Sequence, residues 1–356
     1  DLSGANLSGA NLEQTGFLNA NLSFSNFSGA NLFGADLGGA NITSTNFTGA
    51  DLANTRWADY SICGENSTGI CNDLQFNLFT TTNQSTPAIA IDTAGDFVVV
   101  WQGQNQDTSN YGIIGQKYSR LGNFSGAEFL ANTEGGNRQD LPSVAMDILG
   151  DYIIAWTSNN QDGSSTGVYT QRFNNDGTLL GTEFKVNTFT TNSQSSPSLA
   201  MDKFGDFVVT WQSYQESGTL NGYGIYAQRY NNFGVAQGTE FRVNTYTTGF
   251  QINPATAMDK NGNFVVTWQS TNLSGTGQDG DQYGIYAQRY TSTGATNGTE
   301  FRVNTYTTSI QKNPSIAMDS NGNFIIVWQS SGQDGAGYGV YAQRYNSNGT
   351  TNGTEY

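Results

Sequence analysis

Residues 300–354 read EFRVNTYTTSIQKNPSIAMDSNGNFIIVWQSSGQDGAGYGVYAQRYNSNGTTNGT, and the fold of most of the chain follows from how often this stretch recurs. Four runs within it, 300–305, 315–319, 323–329 and 339–345, alternate or are apolar, and each is bounded by Gly, Asn or Asp, as β-strands are. DSNGN at 319–323 is a hairpin turn and NSNG at 346–349 is a second turn. Pro87, Pro142, Pro197, Pro254 and Pro314 are 55, 55, 57 and 60 residues apart, and Trp101, Trp156, Trp211, Trp268 and Trp328 repeat those intervals. Four antiparallel strands per repeat of this length is the size of a propeller blade. The units fall at about 74–128, 129–183, 184–240, 241–300 and 301–356. The last stops at GTEY where the others continue through GTEF to VNT, or through GAEF to ANT in the first, so residues 74–80 are expected to supply its missing strand and close a five-bladed ring.

A different period governs residues 1–62. Apolar residues recur every fifth position, at Leu2, Leu7, Leu12, Phe17, Leu22, Phe27, Leu32, Leu37, Ile42, Phe47, Leu52, Trp57 and Ile62. Neither a helix nor a strand has that period. Ala, Ser or Thr lies two residues before most of these centres, with Asn or Asp between, so the chain must turn every five residues. The units ANLSG, ANLFG, ADLGG, ANITS and ADLAN make this segment resemble the pentapeptide-repeat family. The resemblance implies a right-handed, four-sided β-solenoid with one pentapeptide per side. The fold class expected is thus all-β: a short quadrilateral β-solenoid at 1–62, a linker at 63–73, and a five-bladed β-propeller at 74–356.

Cys63 and Cys71 flank that linker, a spacing a short loop can close into a disulfide, which would place the protein outside the cytosol. At the other end of the solenoid the repeat is already in register at Asp1 and Leu2, so Asp1, Leu2, Leu7, Leu12 and Phe17 mark an edge without a cap. Unpaired backbone groups on such an edge are a template for another chain. Trp57, Tyr60 and the cysteine loop are the expected cap of the opposite end.

The formal net charge is −15, so nucleic acid and anionic membranes would be repelled. There is neither a long apolar run nor a basic leader, and membrane insertion is not expected. Abundant Asn, Ser, Thr and Gly with few Lys suit a secreted bacterial surface protein. The chain has no histidine, so the usual acid–base and nucleophile sets are missing; carboxylates outside the repeat, such as Asp140, Asp176 and Asp281, leave a hydrolase as a minor reading, and no enzyme is expected. Most acids obey the repeat, including Asp92, Asp147, Asp202, Asp259 and Asp319 at the hairpin turn and Glu128, Glu183, Glu240, Glu300 and Glu355 before a strand. These recurrent Glu are candidates to pair with the recurrent bases Lys117, Arg172, Arg229, Arg289 and Arg344.

The connections carrying Asp162, Asp279 and Asp334, with Asp107 and Glu216 at corresponding places, are candidate loops for Ca²⁺ or a sugar, against a reading as plain Asp-Gly turns. Gly275, Gly277 and Gly280 fit a dinucleotide fingerprint but precede no helix, which makes that segment a loop. No cofactor other than Ca²⁺ is expected. The function expected is an extracellular structural protein, a filament or sheath subunit whose partners are copies of itself. A glycan- or Ca²⁺-dependent adhesion module is the alternative. Because some pentapeptide-repeat proteins imitate DNA and inhibit topoisomerases, that is a minor third reading.

Overall fold

The computed structural model describes residues 1–58, 63–64, 67–69, 77, 81–104, 111–120, 122, 124–216, 222–271 and 278–356. The chain divides into two compact units, Asp1–Leu78 with Tyr118–Ser125, and Phe79–Lys117 with Gly126–Tyr356. Among the described residues no helix is long and apolar enough to cross a membrane.

The first unit is a four-sided β-solenoid. Its corners explain the period of five: the amide of Ala5 donates to the carbonyl of Leu2, Ala10 to Leu7, and so on along the segment. Each corner has a residue at positive φ, from Gly4 at 70° to Asn54 at 55°. That conformation suits glycine and penalises a bulky side chain, so Phe24, with φ 60°, is a strained corner. Parallel bridges join residues twenty apart, Asn6 to Asn26, Asn11 to Asn31 and Asn31 to Asp51, so four pentapeptides complete one coil. Asn side chains repeat the ladder, with Asn31 Nδ2 donating to Asn11 Oδ1 at 3.1 Å and Asn46 Nδ2 to Asn26 Oδ1 at 3.0 Å. Leu22, Phe27, Leu32 and Leu37 are fully enclosed, and Phe27 stacks on Phe47 with ring centroids 5.4 Å apart. The buried hydroxyl of Thr55 is satisfied by the carbonyl of Leu32 at 2.7 Å.

The second unit is the β-propeller, five sheets in chain order. Blade 1 comprises β1 (Gln84–Ile91), β2 (Phe97–Gln104), β3 (Tyr111–Tyr118) and β4 (Phe129–Leu130). Blade 2 runs from β5 (Gln139–Met146) through β6 (Tyr152–Asn159) and β7 (Thr166–Phe173) to β8 (Phe184–Lys185). Blade 3 contains β9 (Gln194–Met201), β10 (Phe207–Glu216), β11 (Gly222–Tyr230) and β12 (Phe241–Arg242). Blade 4 contains β13 (Phe250–Met258), β14 (Phe264–Thr271), β15 (Tyr283–Tyr290) and β16 (Phe301–Arg302), and blade 5 β17 (Gln311–Met318), β18 (Phe324–Ser331) and β19 (Tyr338–Tyr345).

The recurrent proline sits at a bulge in the first strand of every blade, where a missing amide does no harm. The residue before it takes positive φ each time: Thr86, Leu141, Ser196, Asn253 and Asn313. This turns its amide toward the preceding blade. Asn253 donates to Gln212 Oε1 at 3.0 Å and Asn313 to Gln269 Oε1 at 2.9 Å.

The fourth strand is shorter than the VNT run suggests, because the buried Asn replaces backbone pairing. Asn304 Oδ1 accepts the amide of Ile285 at 2.7 Å, while its Nδ2 donates to the carbonyl of Tyr306 at 2.8 Å.

Blades meet through apolar cores: Val98, Val100 and Ile113 of blade 1 pack against Trp156 and Phe173 of blade 2, and three further cores join blades 2–3, 3–4 and 4–5. Among the described residues no such core joins blade 5 to blade 1. Val168, Ile225 and Ile285 are fully buried, whereas Val340, at the same place in blade 5, is 77% exposed, and Ile89 on blade 1 is 62% exposed. Tyr356 exchanges amide-to-carbonyl bonds with Ala342 of β19, the place that Phe301 takes against Ala287 in blade 4. Except for Asn77, the strand expected at 74–80 lies outside the described residues.

Candidate functional site

The edge formed by the first coil is built from one-sided pairing. The amides of Leu2, Gly4, Leu7, Gly9, Leu12, Gln14 and Phe17 donate to carbonyls of the second coil, at 2.6–2.9 Å. The carbonyls of Ala5, Ala10 and Thr15 accept amides from that coil. Among the described residues the amides of Asn6, Asn11 and Gly16 have no backbone acceptor, because a parallel ladder points them to the opposite side. Packing thins in the same direction: Phe17 is buried, Leu7 and Leu12 are half-buried, and Leu2 is 38% exposed. Asp1 turns inward on its own chain, its Oδ1 accepting the amide of Ser3 at 2.9 Å. Asp1, Leu2, Leu7, Leu12 and Phe17, the residues expected at this edge, belong to the first coil, and Phe17 is buried inside it.

The opposite end is covered. Leu52 donates to the carbonyl of Ser67 at 2.9 Å, Asn54 to Cys63 at 3.0 Å, and Gly69 to Ala50 at 2.9 Å, so Cys63, Ser67 and Gly69 pair with the last coil. Trp57 packs on Phe47 at 5.0 Å as expected of a cap. Cys63 is fully buried and no described cysteine is a free thiol. Tyr60, Ile62 and Cys71 lie outside the described residues, and with them the Cys63–Cys71 pairing.

Asp162, Asp279 and Asp334 lie in connections of three different blades and turn back on themselves. Their Oδ1 atoms accept the amides of Ser164, Asp281 and Ala336 at 3.2–3.3 Å. The second oxygen of each presses against Gly167, Gly284 or Gly339, where an added Cβ would come within 2.5–3.0 Å of it. Glycine there makes room for the carboxylate. Burial together with Asp162 pushes the hydroxyl of the neighbouring Tyr169 up to about 12. Among the described residues no three acids converge as ligands for a metal ion. Asp107, Gly275 and Gly277 lie outside the described residues, as does the side chain of Glu216, and Gly280 is a turn residue at φ 95°.

The five hairpin turns surround an axial opening of about 360 Å³, edged by Met146, Met201, Met258 and Met318 with Ile91 in the first blade. The turn acids along it hold their own loops. Asp147 Oδ1 accepts the amides of Leu149 at 2.8 Å and Asp151 at 3.0 Å, and burial raises the pKa of this carboxyl and of Asp202 against those hydrogen bonds.

The expected pairing of recurrent Glu with recurrent bases is not formed. Glu183, Glu240, Glu300 and Glu355 instead reach the preceding blade: Glu240 Oε2 accepts both the amide and the hydroxyl of Thr188, at 2.6 and 2.8 Å, and Glu300 does the same with Thr245. The bases reach the following blade and donate to turn carbonyls, Arg172 to Phe233 and Arg289 to Ser347, at 2.8 and 2.9 Å. Arg344 of blade 5 lies over the ring of Tyr356. The ion pairs among the described residues are Arg56–Asp36 and Arg138–Asp140. The Glu, the Thr and the base recur from unit to unit, so their spacing identifies the residues but not which copies meet.

No curated protein matches this chain. Among solved structures, a protein of unknown function from Dyadobacter fermentans superposes with a TM-score of 0.52 at 12% identity, over 76% of this chain and 80% of that one. An α-L-arabinanase of Penicillium chrysogenum, complexed with arabinobiose, gives 0.47 at 12% identity over 73% and 76%, and a thermostable family-43 glycoside hydrolase gives 0.42 at 10% over 77% and 94%. The expectation that the chain is no enzyme is corrected by these matches, since glycoside hydrolases stand among the proteins it superposes on. At such identities the likeness concerns the fold and assigns no activity. The missing histidine by itself excludes no carboxylate chemistry. The family model of pentapeptide repeats, in eight copies, matches residues 1–39 and 20–56, and the first segment of this chain is a run of pentapeptide repeats.

Proposed function

We propose that the chain is a structural subunit that associates with copies of itself through the first solenoid coil, as part of a filament or sheath at a bacterial cell surface. The observation that carries this reading is the contrast between the two ends of the solenoid. Cys63, Ser67 and Gly69 pair with one, while the amides of Asn6, Asn11 and Gly16 line the other beside half-buried leucines. A ladder edge of this kind recruits a further strand with little regard for side chains. Because the far end is covered, the edge meets a like edge, and the first step is a twofold pair. Growth into a filament then requires a second contact elsewhere on the chain. The composition and a Cys63–Cys71 disulfide, which we include in the proposal, fit an extracellular location.

Sedimentation of the 356-residue chain, with electron microscopy at high concentration, tests the reading. Dimers or longer assemblies are expected for the native chain. Asn11→Pro removes an amide that bonds nothing in the described chain, together with the exposed side-chain rung from Asn31, and should abolish the pairing while the thermal transition persists. A native chain that stays monomeric at the highest concentration, or an Asn11→Pro variant that assembles as well as the native one, overturns it.

A further inference from the structure

Two clefts occupy equivalent places between neighbouring blades on the turn side of the propeller. The one between blades 4 and 5 is rimmed by Asn261, Asn321 and Ser347. The one between blades 2 and 3, of about 280 Å³, is rimmed by Leu149, Phe204 and Phe233. By the repeat, Leu149 stands where blade 4 has Asn261, Phe204 where blade 5 has Asn321, and Phe233 where blade 5 has Asn348. The tips are no part of the core: Leu149, Phe204 and Phe233 are 69%, 63% and 74% exposed. Asn serves these turns elsewhere in the molecule, so the turn itself has no need of a large apolar residue. Apolar side chains gathered around one polar cleft mark a contact site.

We propose that the cleft between blades 2 and 3 binds a neutral saccharide. Its floor and walls offer hydrogen-bond acceptors next to ring faces. One oxygen of Asp151 accepts the amide of Asn175 at 2.8 Å, and the other forms no hydrogen bond among the described residues. Arg172 is committed to the carbonyls of Asn232 and Phe233, which spreads its charge and stiffens the turn that carries the Phe233 ring. A ligand matched to this lining has one apolar face to lie on Phe204 or Phe233 and hydroxyl groups to donate to Asp151, which is the character of a pyranose or furanose ring. An anionic ligand would meet Asp147, Asp151 and a net charge of −15. An apolar peptide would leave the Asp151 carboxylate without a donor. The volume is at or below the low end of ligand pockets, which suits one or two sugar rings of a longer chain lying across the rim.

The test is affinity electrophoresis of the intact chain through gels containing neutral polysaccharides of hexose and pentose type, followed by titration with oligosaccharides of whichever retards it. Native protein is expected to be retarded by at least one of them. The variant carrying Leu149→Asn, Phe204→Asn and Phe233→Asn, which copies the asparagines of blades 4 and 5, should bind at least tenfold more weakly with an unchanged thermal transition. Should it fold poorly, Phe233→Asn alone serves, since that ring is mostly in solvent. No retardation by any neutral polysaccharide overturns the proposal, as does undiminished retardation of the variant. So does a variant that keeps its glycan binding and loses self-association, which would assign the apolar tips to an interface between copies.

Discussion

The solenoid and the propeller are both repeats, but they join one unit to the next by different means. Coils are joined through the main chain: the amide of Leu12 bonds the carbonyl of Asn31, and the same relation recurs around the coil. Blades are joined through side chains, by Trp and Val in the cores, the Glu240–Thr188 clasp, and the Gln212 carbonyl on the bulge at Asn253. An unmatched solenoid edge is therefore a generic β-edge, whereas an unmatched blade face is a set of side chains with a shape. Among the described residues the first coil shows the one, and the face of blade 5 around Val340 shows the other.

The largest effect that sharpens this comparison comes from one residue type at two equivalent places. Val168→Ala, in the core between blades 2 and 3, should cost about 2 kcal/mol by chemical denaturation, and Val340→Ala less than about 0.5 kcal/mol. Equal costs would mean that the junction of blade 5 with blade 1 is closed in solution. Next is the clasp. Glu240→Ala removes two hydrogen bonds onto Thr188 and should lower stability by about 1 kcal/mol, the groups being near the surface. A loss no larger than that of an average surface substitution would leave the apolar cores alone holding the blades. The smallest change lies in the solenoid and has the opposite sign. Phe24→Gly relieves a bulky residue at φ 60° whose ring is mostly exposed and should raise stability by about 0.5 kcal/mol, read as a higher melting temperature.

Much of this architecture could be read one residue at a time. The period of five is a corner every fifth residue, and Gly or Asn at most of those corners announces the positive φ observed there. The recurring proline announces the bulge, and Trp in each unit announces the core. The functional candidates were less legible. Asp162, Asp279 and Asp334 stand out in the sequence as loop acids, yet each is occupied with its own turn. Leu149, Phe204 and Phe233 depart from the repeat and could have been singled out by comparing units, but only the structure brings them to one cleft.

Local conformational preference is a property of a short segment, so turns, strands, the alternation of faces and the number of units were determined by the sequence alone. Partner choice is not local. In a chain whose units repeat the same Glu and Thr, the residue that meets Glu240 lies some fifty positions away, and neighbouring units offer the same candidate. Which copies touch, and which face or edge is left over, depends on how the curvature of the stack brings neighbours together, and that was decided by the tertiary structure.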